Sequence, residues 1–577
     1  MIETLSFSDG SDVKLSRLTI IVGPNNGGKS RALRDIEAVV TNNIHHRPQV
    51  VTGARLILPS TLEEAVKLSG FRYTEKGLDG FRVEGLASSM SEPFARDNLS
   101  KKAVVDIFSA AASAAQRTQQ ILSIFGQGFV MRLGTEERLA ISSLKQVAPA
   151  GAPTSLIDLL FRGGANAERS LASAILQAFP SSYLRLDYST QSRVTLRVGD
   201  SDILTVSIDP REQVLDFEPF SMLESQGDGL RSYAALCLGL DIAKRPVTLI
   251  DEPETFLHPP QIQALGRYIH ESGSQQIIIS THSVDLVQSI AHASSEATII
   301  RLTRTENVNH ARVVSPSRLE DLISDPLVSS ARCLDAMFYR GAVITEGDSD
   351  RLLYQRVYDR QFRGDDIHFL NAQSKQTIHK IARAYNEMGV PCAAIVDFDI
   401  LNDARTFTEL LNALSIEGSS REKAIALRAR IAGDIEGPGK LEERRASYVK
   451  QVETTQRRID STTDVQAQMQ DLSDLGDKLR FANDPWLDAK RNGAGALQDD
   501  SSVAFFELCD IVERSGLFIV PVGELEGWLH DAVSTSRKNK ANWLAASLKA
   551  LPHLLTEPTD VWAFIARVRE YLIGQSN

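Results

Sequence analysis

Short apolar runs that end in a glycine loop or in carboxylates recur along this chain, and stretches of helical spacing separate them. The clearest runs lie at 20–22, 247–250, 277–279, 342–344, 392–396 and 518–520. Strands of a buried parallel sheet give such unbroken runs, because neither face meets water. Apolar residues at helical spacing fill 103–125 and 168–179. This alternation predicts an α/β protein with parallel sheets.

The first run leads into a glycine-rich loop, and a helical pattern begins at Arg31. The loop residues are Gly23, Pro24, Asn25, Asn26, Gly27, Gly28, Lys29 and Ser30. Glycines let backbone N–H groups curl around phosphate oxygens, and the positive end of the helix faces the same anion. The strand–loop–helix order is that of a phosphate-binding loop. Lys29 would then reach the β- and γ-phosphates of ATP, and Ser30 would bind Mg²⁺.

Two later runs end in groups that would complete a nucleotide site. Asp251 and Glu252 follow the run 247–250, at the carboxyl edge where α/β sheets bind ligands. Asp251 fits the role of holding Mg²⁺, and Glu252 fits that of general base for the attacking water. The run 277–279 leads to His282, which is placed to sense the γ-phosphate.

A polar turn precedes the apolar helix pattern at 233–243 and contains Ser225, Gly227 and Gly229. A helix N-terminus opened by such a turn is a second anion-binding element. A simple helix N-cap has the same composition, and the position directly before Asp251 favours the functional interpretation.

Together these motifs resemble the ATP-binding-cassette ATPases, in the branch of the SMC and related repair proteins. The resemblance covers residues 1 to about 302. It implies a homodimer or higher homo-oligomer in which two heads enclose two ATP molecules. One subunit would supply Lys29 and Asp251, and the other would supply the turn at 225–229. The mostly helical pattern at 62–181 is either an insertion that packs on the core or a dimerisation arm. Strands are predicted at 184–186, 193–198 and 203–208.

The second half repeats the arrangement of strand ends and carboxylates. Glu346 follows the run 342–344, with Asp350 at the start of a helix, and Asp397 and Asp399 follow the run 392–396. Side chains alternate along a strand, so Asp397 and Asp399 point the same way if the strand extends that far. Carboxylates at neighbouring strand ends form a hard oxygen site for Mg²⁺ or Mn²⁺. Such sites perform phosphoryl transfer.

This set resembles a Toprim domain, the metal-binding module of topoisomerases, primases and some nucleases. By resemblance Glu524 or Glu526, after the run 518–520, joins the metal site, and Glu526 is favoured. A cassette ATPase followed by Toprim resembles the OLD (overcoming lysogenization defect) family of ATP-dependent DNA endonucleases. That family includes the Gabija nuclease and retron effectors of bacterial antiphage defence. The resemblance implies DNA as substrate. It leaves open whether a helicase, or a reverse transcriptase with its ncRNA-DNA, works alongside as a defence partner.

The OLD resemblance also implies a catalytic lysine beyond the last carboxylate, for which Lys538 and Lys540 are both candidates. The alternative is that this basic cluster only contacts DNA phosphate. The rival function is an SMC-like, DNA-clamping ATPase in repair with a scaffolding Toprim domain. No tyrosine has a topoisomerase context, which disfavours that class.

The motifs predict three parts: an ATPase domain at 1–310, linker helices at 311–340 and a Toprim nuclease domain at 341–577. A charged helical insertion at about 417–479 is either a solvated helical pair or a DNA-guiding arm. Helices at about 542–577 would cap the second domain.

Composition adds few constraints. The formal net charge of −11 does not favour nucleic-acid binding and does not exclude it, because binding depends on local basic patches. The four cysteines are far apart and predict neither a disulfide framework nor a metal site. No apolar run is long enough to span a bilayer, and the N-terminus lacks signal-peptide features. We therefore expect a cytoplasmic protein without membrane contact.

Overall fold

The computed structural model describes most of the chain. The described residues are 1–76, 79–90, 92–108, 114–141, 145–146, 151–190, 193–200, 220–273, 275–293, 296–314, 333–364, 366–483, 485–529, 540–551 and 561–576. They fall into two compact units, Met1–Asp321 and Leu322–Asn577. Among these residues, no helix combines the length and the apolar character that crossing a bilayer requires.

The first unit contains strands β1 Ile2–Phe7, β2 Asp12–Lys14, β3 Leu18–Val22, β4 Val51–Leu56, β5 Arg72–Lys76, β6 Gly80–Leu86, β7 Pro93–Ser100, β8 Val130–Leu133, β9 Lys145–Gln146, β10 Tyr183–Thr190, β11 Arg193–Gly199, β12 Ser221–Met222, β13 Val247–Asp251, β14 Gln276–Ser280, β15 Thr298–Thr305 and β16 Val308–Val314. Its helices are Lys29–Val40, Leu62–Ser69, Lys101–Ile107, Ala114–Phe129, Thr135–Ile141, Leu156–Ala178 (broken at Gly164), Asp228–Cys237, Pro259–Glu271 and Val284–Ala293, with a π-helical turn at Leu238–Ala243 and a 3₁₀ turn at Leu223–Ser225.

A six-stranded sheet forms the centre of the first unit, in the order β16-β15-β3-β14-β13-β8. All neighbours are parallel except β15 and β16. Strand β3 ends at the glycine loop, β13 ends at Asp251 and β14 ends before His282. Because these three strands are adjacent and parallel, their carboxyl ends bring the three motifs to one sheet edge.

The segment 62–181 is less helical than the sequence predicted. It contains an antiparallel sheet of β5, β6 and β7, and it supplies β8 to the edge of the central sheet. Most side chains of β5 and β7 are exposed, so these strands lack the apolar alternation that marks a half-buried strand. The strands predicted at 184–186 and 193–198 are present as β10 and β11, which pair as antiparallel neighbours. The strand predicted at 203–208 lies outside the described residues.

The second unit contains a parallel sheet of β17 Gly341–Thr345, β18 Ile367–Asn371, β19 Cys392–Val396 and β20 Leu517–Ile519, in the order β18-β17-β19-β20. Its helices are Asp348–Gln361, Lys375–Met388, Ala404–Ala413, Gly418–Glu436, Pro438–Ser461, Val465–Asn483, Pro485–Asn492, Asp499–Glu513, Lys540–Ala550 and Val561–Ser576, with 3₁₀ turns at Cys333–Phe338, Phe398–Leu401, Gly493–Ala496 and Leu525–Gly527. The predicted strand–helix alternation and parallel pairing are confirmed. Of the predicted linker 311–340, residues 315–332 lie outside the described set.

The region predicted as an insertion is helical and consists of more than a solvated pair. Helix Gly418–Glu436 buries Ala424, Leu427 and Ile431, and it packs against helix Asp499–Glu513. Helices Pro438–Ser461 and Val465–Asn483 pack on each other. The C-terminal helix Val561–Ser576 packs on helix Asp348–Gln361 and joins the apolar core. The predicted cap is therefore part of the folded interior of this unit.

Candidate functional site

The glycine loop adopts a conformation that only glycine allows at its start. Gly23 has φ +144°, and a Cβ there would lie 2.0 Å from the carbonyl oxygen of Leu302. Lys29 is buried, and its ammonium donates to the carbonyl oxygens of Gly23 at 2.8 Å and Pro24 at 3.0 Å. The lysine is therefore held across its own loop, beside the backbone that would cradle a phosphate.

Ser30 and Asp251, both predicted to hold Mg²⁺, lie in contact. Ser30 Oγ donates to Asp251 Oδ1 at 3.0 Å, and the hydroxyl of Ser280 donates to the same oxygen. Asp251 and Ser280 are cross-strand partners on β13 and β14, which explains the convergence. The sheet register thus brings the loop and the acidic strand end together.

Glu252 and His282 also lie close together, with His282 Nε2 3.5 Å from Glu252 Oε1. Glu252 has a left-handed backbone, with φ 47°, and its N–H donates to Ser280 O at 2.9 Å. Both side chains are partly exposed. The pair is therefore accessible at the sheet edge, as a general base and a sensing residue would need to be.

Glu254 is a site residue that the sequence reasoning missed. Its Oε1 accepts from the Thr281 hydroxyl at 2.8 Å and from the His282 N–H at 2.7 Å. Burial raises the pKa of this carboxyl, because desolvation disfavours the charged form. Glu254 thus fixes the backbone that presents His282.

Arg138 is the second missed residue of this site. It is fully buried, and its guanidinium donates to the carbonyl oxygens of Asp251 at 2.7 Å and Glu252 at 2.9 Å. Its Nε donates to Ser232 Oγ at 2.8 Å, on helix Asp228–Cys237. Burial lowers the pKa of Arg138 to about 10. One side chain therefore joins the acidic strand end to the helix that follows the polar turn.

The polar turn has the predicted position before that helix. Gly227 is the N-cap of helix Asp228–Cys237, and Ser225 Oγ donates to Met222 O at 2.7 Å. A Cβ on Gly229 would lie 2.6 Å from Phe256 O, so this glycine allows close backbone packing. The role of Ser225, Gly227 and Gly229 in a partner's nucleotide site stays a prediction.

The second unit brings three predicted carboxylates together. Ligand oxygens of Glu346, Asp397 and Asp399 lie within 4.8 Å of one another, and Glu346 Oε1 accepts from the Asp397 N–H at 3.0 Å. Burial raises the pKa of Glu346. Burial and then the charges of Glu346 and Asp350 raise the pKa of Asp397 well above its usual range. Carboxylates forced together at low exposure favour a bound cation, which removes their mutual repulsion.

Asp397 and Asp399 are brought together by a turn and not by the alternation of side chains along a strand. Strand β19 ends at Val396, and Asp397 is the N-cap of the 3₁₀ turn Phe398–Leu401. The strand does not extend to Asp397 and Asp399, so the condition under which they would share a strand face is not met, because the backbone turns at Asp397. The tight turn brings the two carboxylates into the same cluster.

Two of the other predicted ligands, Asp350 and Glu526, share a buried neighbour with the cluster. Asp350 Oδ2 accepts from the Gly347 N–H at 2.9 Å and caps helix Asp348–Gln361. Glu526 is buried in the turn Leu525–Gly527, and Glu524 is the N-cap of that turn. Burial raises the pKa of Tyr354, and the charges of Asp350, Asp397 and Glu526 add to it. These carboxylates therefore lie around one buried tyrosine.

Two lysines that the sequence reasoning missed contact the cluster. Lys490 Nζ lies 2.9 Å from Asp399 Oδ2 and 3.5 Å from Asp397 Oδ2. Lys375 Nζ lies 3.4 Å from Asp399 Oδ1. Lys538 lies outside the described residues, and Lys540 begins helix Lys540–Ala550 without a described side chain. No sequence signal marks Lys490, which comes 91 residues after Asp399.

The donor sets fit the groups that the sequence implies. The carboxylate cluster offers only oxygen atoms, as Mg²⁺ and Mn²⁺ require. Asp399 Oδ1 is buried and accepts no hydrogen bond of good geometry from the described residues, although Lys375 Nζ lies 3.4 Å away, so this oxygen can serve as a ligand. The glycine loop, Ser30 and Asp251 likewise offer the donors and acceptors that a Mg²⁺-nucleotide takes.

Two family models match the chain. Residues 337–399 match a model described as "Overcoming lysogenization defect protein-like, TOPRIM domain". Residues 153–288 match an AAA domain model whose description also names the AbiEii toxin and type IV TA systems. No curated protein matches this chain in sequence.

Solved structures of SMC head domains also match. The SMC head bound to the C-winged helix domain of ScpA is 15% identical and covers 56% of this chain and 99% of its own, with a TM-score of 0.34. The SMC head domain from Thermotoga maritima is 17% identical and covers 54% of this chain and 97% of its own, with a TM-score of 0.27.

An ATPase-type domain thus precedes a Toprim domain in one α/β chain, and this pair of domains implies ATPase and nuclease activity. The order of the two matches supports an OLD-type ATPase–Toprim protein, in agreement with the resemblance of its motifs.

Proposed function

We propose that this chain is a nucleotide-regulated DNA endonuclease of the OLD type, which cuts phosphodiesters at the carboxylate cluster of its second unit. The observation that carries the proposal is that cluster. Carboxylates from two strand ends converge within 4.8 Å, inside the segment that matches a Toprim domain. In proteins, metal sites that are built from carboxylates catalyse reactions of phosphodiesters.

The residues of the second unit have distinct roles in this proposal. Glu346, Asp397 and Asp399 hold two divalent cations, Mg²⁺ or Mn²⁺, with Asp350, Glu524 and Glu526 as further ligands. Bound there, the cations would polarise the phosphate and stabilise the attacking and leaving oxygens. Lys538 or Lys540 remains the proposed lysine next to the scissile phosphate.

The first unit binds and hydrolyses ATP in this proposal. Lys29 and the loop backbone hold the phosphates, Ser30 and Asp251 hold Mg²⁺, and Glu252 takes a proton from water. His282 lies within 3.5 Å of Glu252, which supports its role beside the γ-phosphate. Dimerisation through this unit would place Ser225, Gly227 and Gly229 on the partner's nucleotide. The resemblance to antiphage nucleases favours a cytoplasmic defence role.

The test is cleavage of supercoiled and linear DNA with Mg²⁺ or Mn²⁺, with and without ATP, by the native chain, Glu346→Ala and Lys29→Ala. We expect Glu346→Ala to abolish cleavage while ATP hydrolysis persists, because Glu346 lies in the second unit. Lys29→Ala should abolish ATP hydrolysis and alter cleavage. A cleavage rate that ATP and Lys29→Ala leave unchanged would refute nucleotide regulation.

The SMC-like clamp stays the rival function. It predicts ATP-dependent retention of circular DNA without strand breaks, and Glu346→Ala would retain DNA as well as the native chain does. Co-purifying protein or nucleic acid would then identify the missing trigger or partner.

A further inference from the structure

Lys490 reaches the carboxylate cluster from helix Pro485–Asn492, well outside the motifs that supply the carboxylates. Its ammonium contacts Asp399 at 2.9 Å and Asp397 at 3.5 Å. A lysine side chain carries a positive charge at neutral pH. A cation therefore lies between two proposed metal ligands.

Backbone packing fixes this helix against the site. Gly523 has φ +98°, and a Cβ there would lie 2.1 Å from Lys490 O. Gly493 has φ +55°, and a Cβ there would lie 2.1 Å from Pro521 O. Ala494 N–H also donates to Pro521 O at 2.9 Å. The two glycines permit a close approach of the two backbone segments that any side chain would prevent. This packing fixes the position of Lys490.

Gly523, which packs against Lys490, also joins the loops that carry the carboxylates. Phe398 N–H, between Asp397 and Asp399, donates to Gly523 O at 2.8 Å. On the far side of the helix, the Trp486 indole N–H donates to Glu436 Oε1 at 2.8 Å. Helix Pro485–Asn492 is thus anchored to helix Gly418–Glu436 at one end and to the site at the other.

We propose that Lys490 is a positioning residue of the nuclease site, which fixes Asp397 and Asp399 and weakens their affinity for divalent cations. The inference rests on the proposed nuclease function. A fixed positive charge beside two ligands opposes a second positive charge there. When the lysine is lost, the affinity for cations should rise because the repelling charge is gone, whereas the cleavage rate should fall because the ligands are less well placed. A merely structural residue would not produce that combination.

The experiment is calorimetric titration of Mn²⁺ into the full chain after treatment with EDTA, alongside cleavage of supercoiled DNA at saturating Mn²⁺. For Lys490→Met we expect about tenfold tighter Mn²⁺ binding, since a partly solvated charge delivers only part of its Coulomb effect. Cleavage should fall about tenfold or more, because Asp399 loses its orienting contact. Lys490→Arg keeps the charge and should keep an Mn²⁺ affinity near that of the native chain.

A matched control is Lys423→Met. Lys423, on helix Gly418–Glu436, is paired with Glu507 on helix Asp499–Glu513 and not with a carboxylate of the cluster. It should change neither affinity nor cleavage. If Lys490→Met unfolds, Lys490→Gln gives the same titration with a smaller change in polarity. Weaker or unchanged Mn²⁺ binding by the neutral variants would overturn the proposal, as would a native chain that binds no Mn²⁺.

Failure of the nuclease proposal has a different outcome. If the native chain binds Mn²⁺ and Lys490→Met tightens that binding, but neither cuts DNA, the metal-tuning role stands and the endonuclease does not. If both cut DNA equally while the affinity shifts, the orienting role is overturned.

Discussion

Replacing Arg138 with methionine tests how the acidic strand end of the first unit is held. The guanidinium donates to the carbonyl oxygens of Leu133, Asp251 and Glu252. Each buried carbonyl left without a donor costs about 1–3 kcal/mol. Against this, the lowering of the pKa of Arg138 to about 10 by burial corresponds to about 3 kcal/mol of unfavourable desolvation. For three carbonyls this cost exceeds the recovered desolvation by up to about 6 kcal/mol, and we expect a net loss within that range in the free energy of unfolding.

The four tryptophans make the assay specific to one unit. Trp486, Trp528, Trp543 and Trp562 all lie in the second unit, so tryptophan fluorescence in urea reports that unit alone. Far-ultraviolet circular dichroism reports both units. Arg138→Met should shift the dichroism transition of the first unit and leave the fluorescence transition in place.

Arg245→Met is the matched control for the activity measurement. Arg245 is also buried, its pKa is also lowered to about 10 by burial, and it donates to the carbonyl oxygens of Gly128 and Leu86. It should destabilise the first unit similarly without touching Glu252. Below both transitions, ATP hydrolysis should fall about 10- to 100-fold for Arg138→Met alone, because the general base is displaced. Equal ATPase rates for the two variants would refute the positioning role of Arg138.

Three further predictions concern single contacts. Gly523→Ala should lower the free energy of unfolding by more than about 2 kcal/mol, because the new Cβ would meet Lys490 O at 2.1 Å and φ is +98°. Melts followed by tryptophan fluorescence measure this change. The control Gly476→Ala, in open space on an exposed helix, should instead stabilise the protein. Asp397 has a folded pKa raised well above its usual value by burial, so in EDTA its contribution to stability is complete below pH 3.8 and is lost as the pH rises through the folded pKa. Asp397→Asn should then raise the melting temperature at neutral pH and flatten its pH dependence, and a variant less stable throughout would contradict this. Glu254→Gln keeps the acceptor for Thr281 and His282 and should change stability by less than about 1 kcal/mol, whereas Glu254→Ala should cost about 2–4 kcal/mol in dichroism melts.

The strand ends that carry the proposed chemistry could be predicted because their signals are local. An unbroken apolar run followed by Asp251, Glu346 or Asp397 identifies both a buried strand and the edge at which its last residues lie. The P-loop adds a glycine pattern that few other structures require. None of these inferences depends on a distant residue.

The contacts that were missed depend on distant residues. Arg138 lies 114 residues before Glu252, and Lys490 lies 91 residues after Asp399. A lone basic residue on a helix has the same sequence signature whether it faces solvent or a buried carboxylate. Strands β5 and β7 were missed because they are largely exposed. The turn at Asp397 was missed because a strand end is poorly fixed by composition.

The order of strands in the central sheet also governs when the nucleotide site can form during synthesis. Ile20 on β3 pairs with Ile279 on β14, so the ribosome adds about 260 residues before that partner exists. At about 5–20 residues per second, this takes roughly 13–50 s. The P-loop strand waits through that interval without its two neighbours. A chain stalled before 276 therefore cannot complete the nucleotide site, and ATP binding by nascent chains marks completion of the first unit.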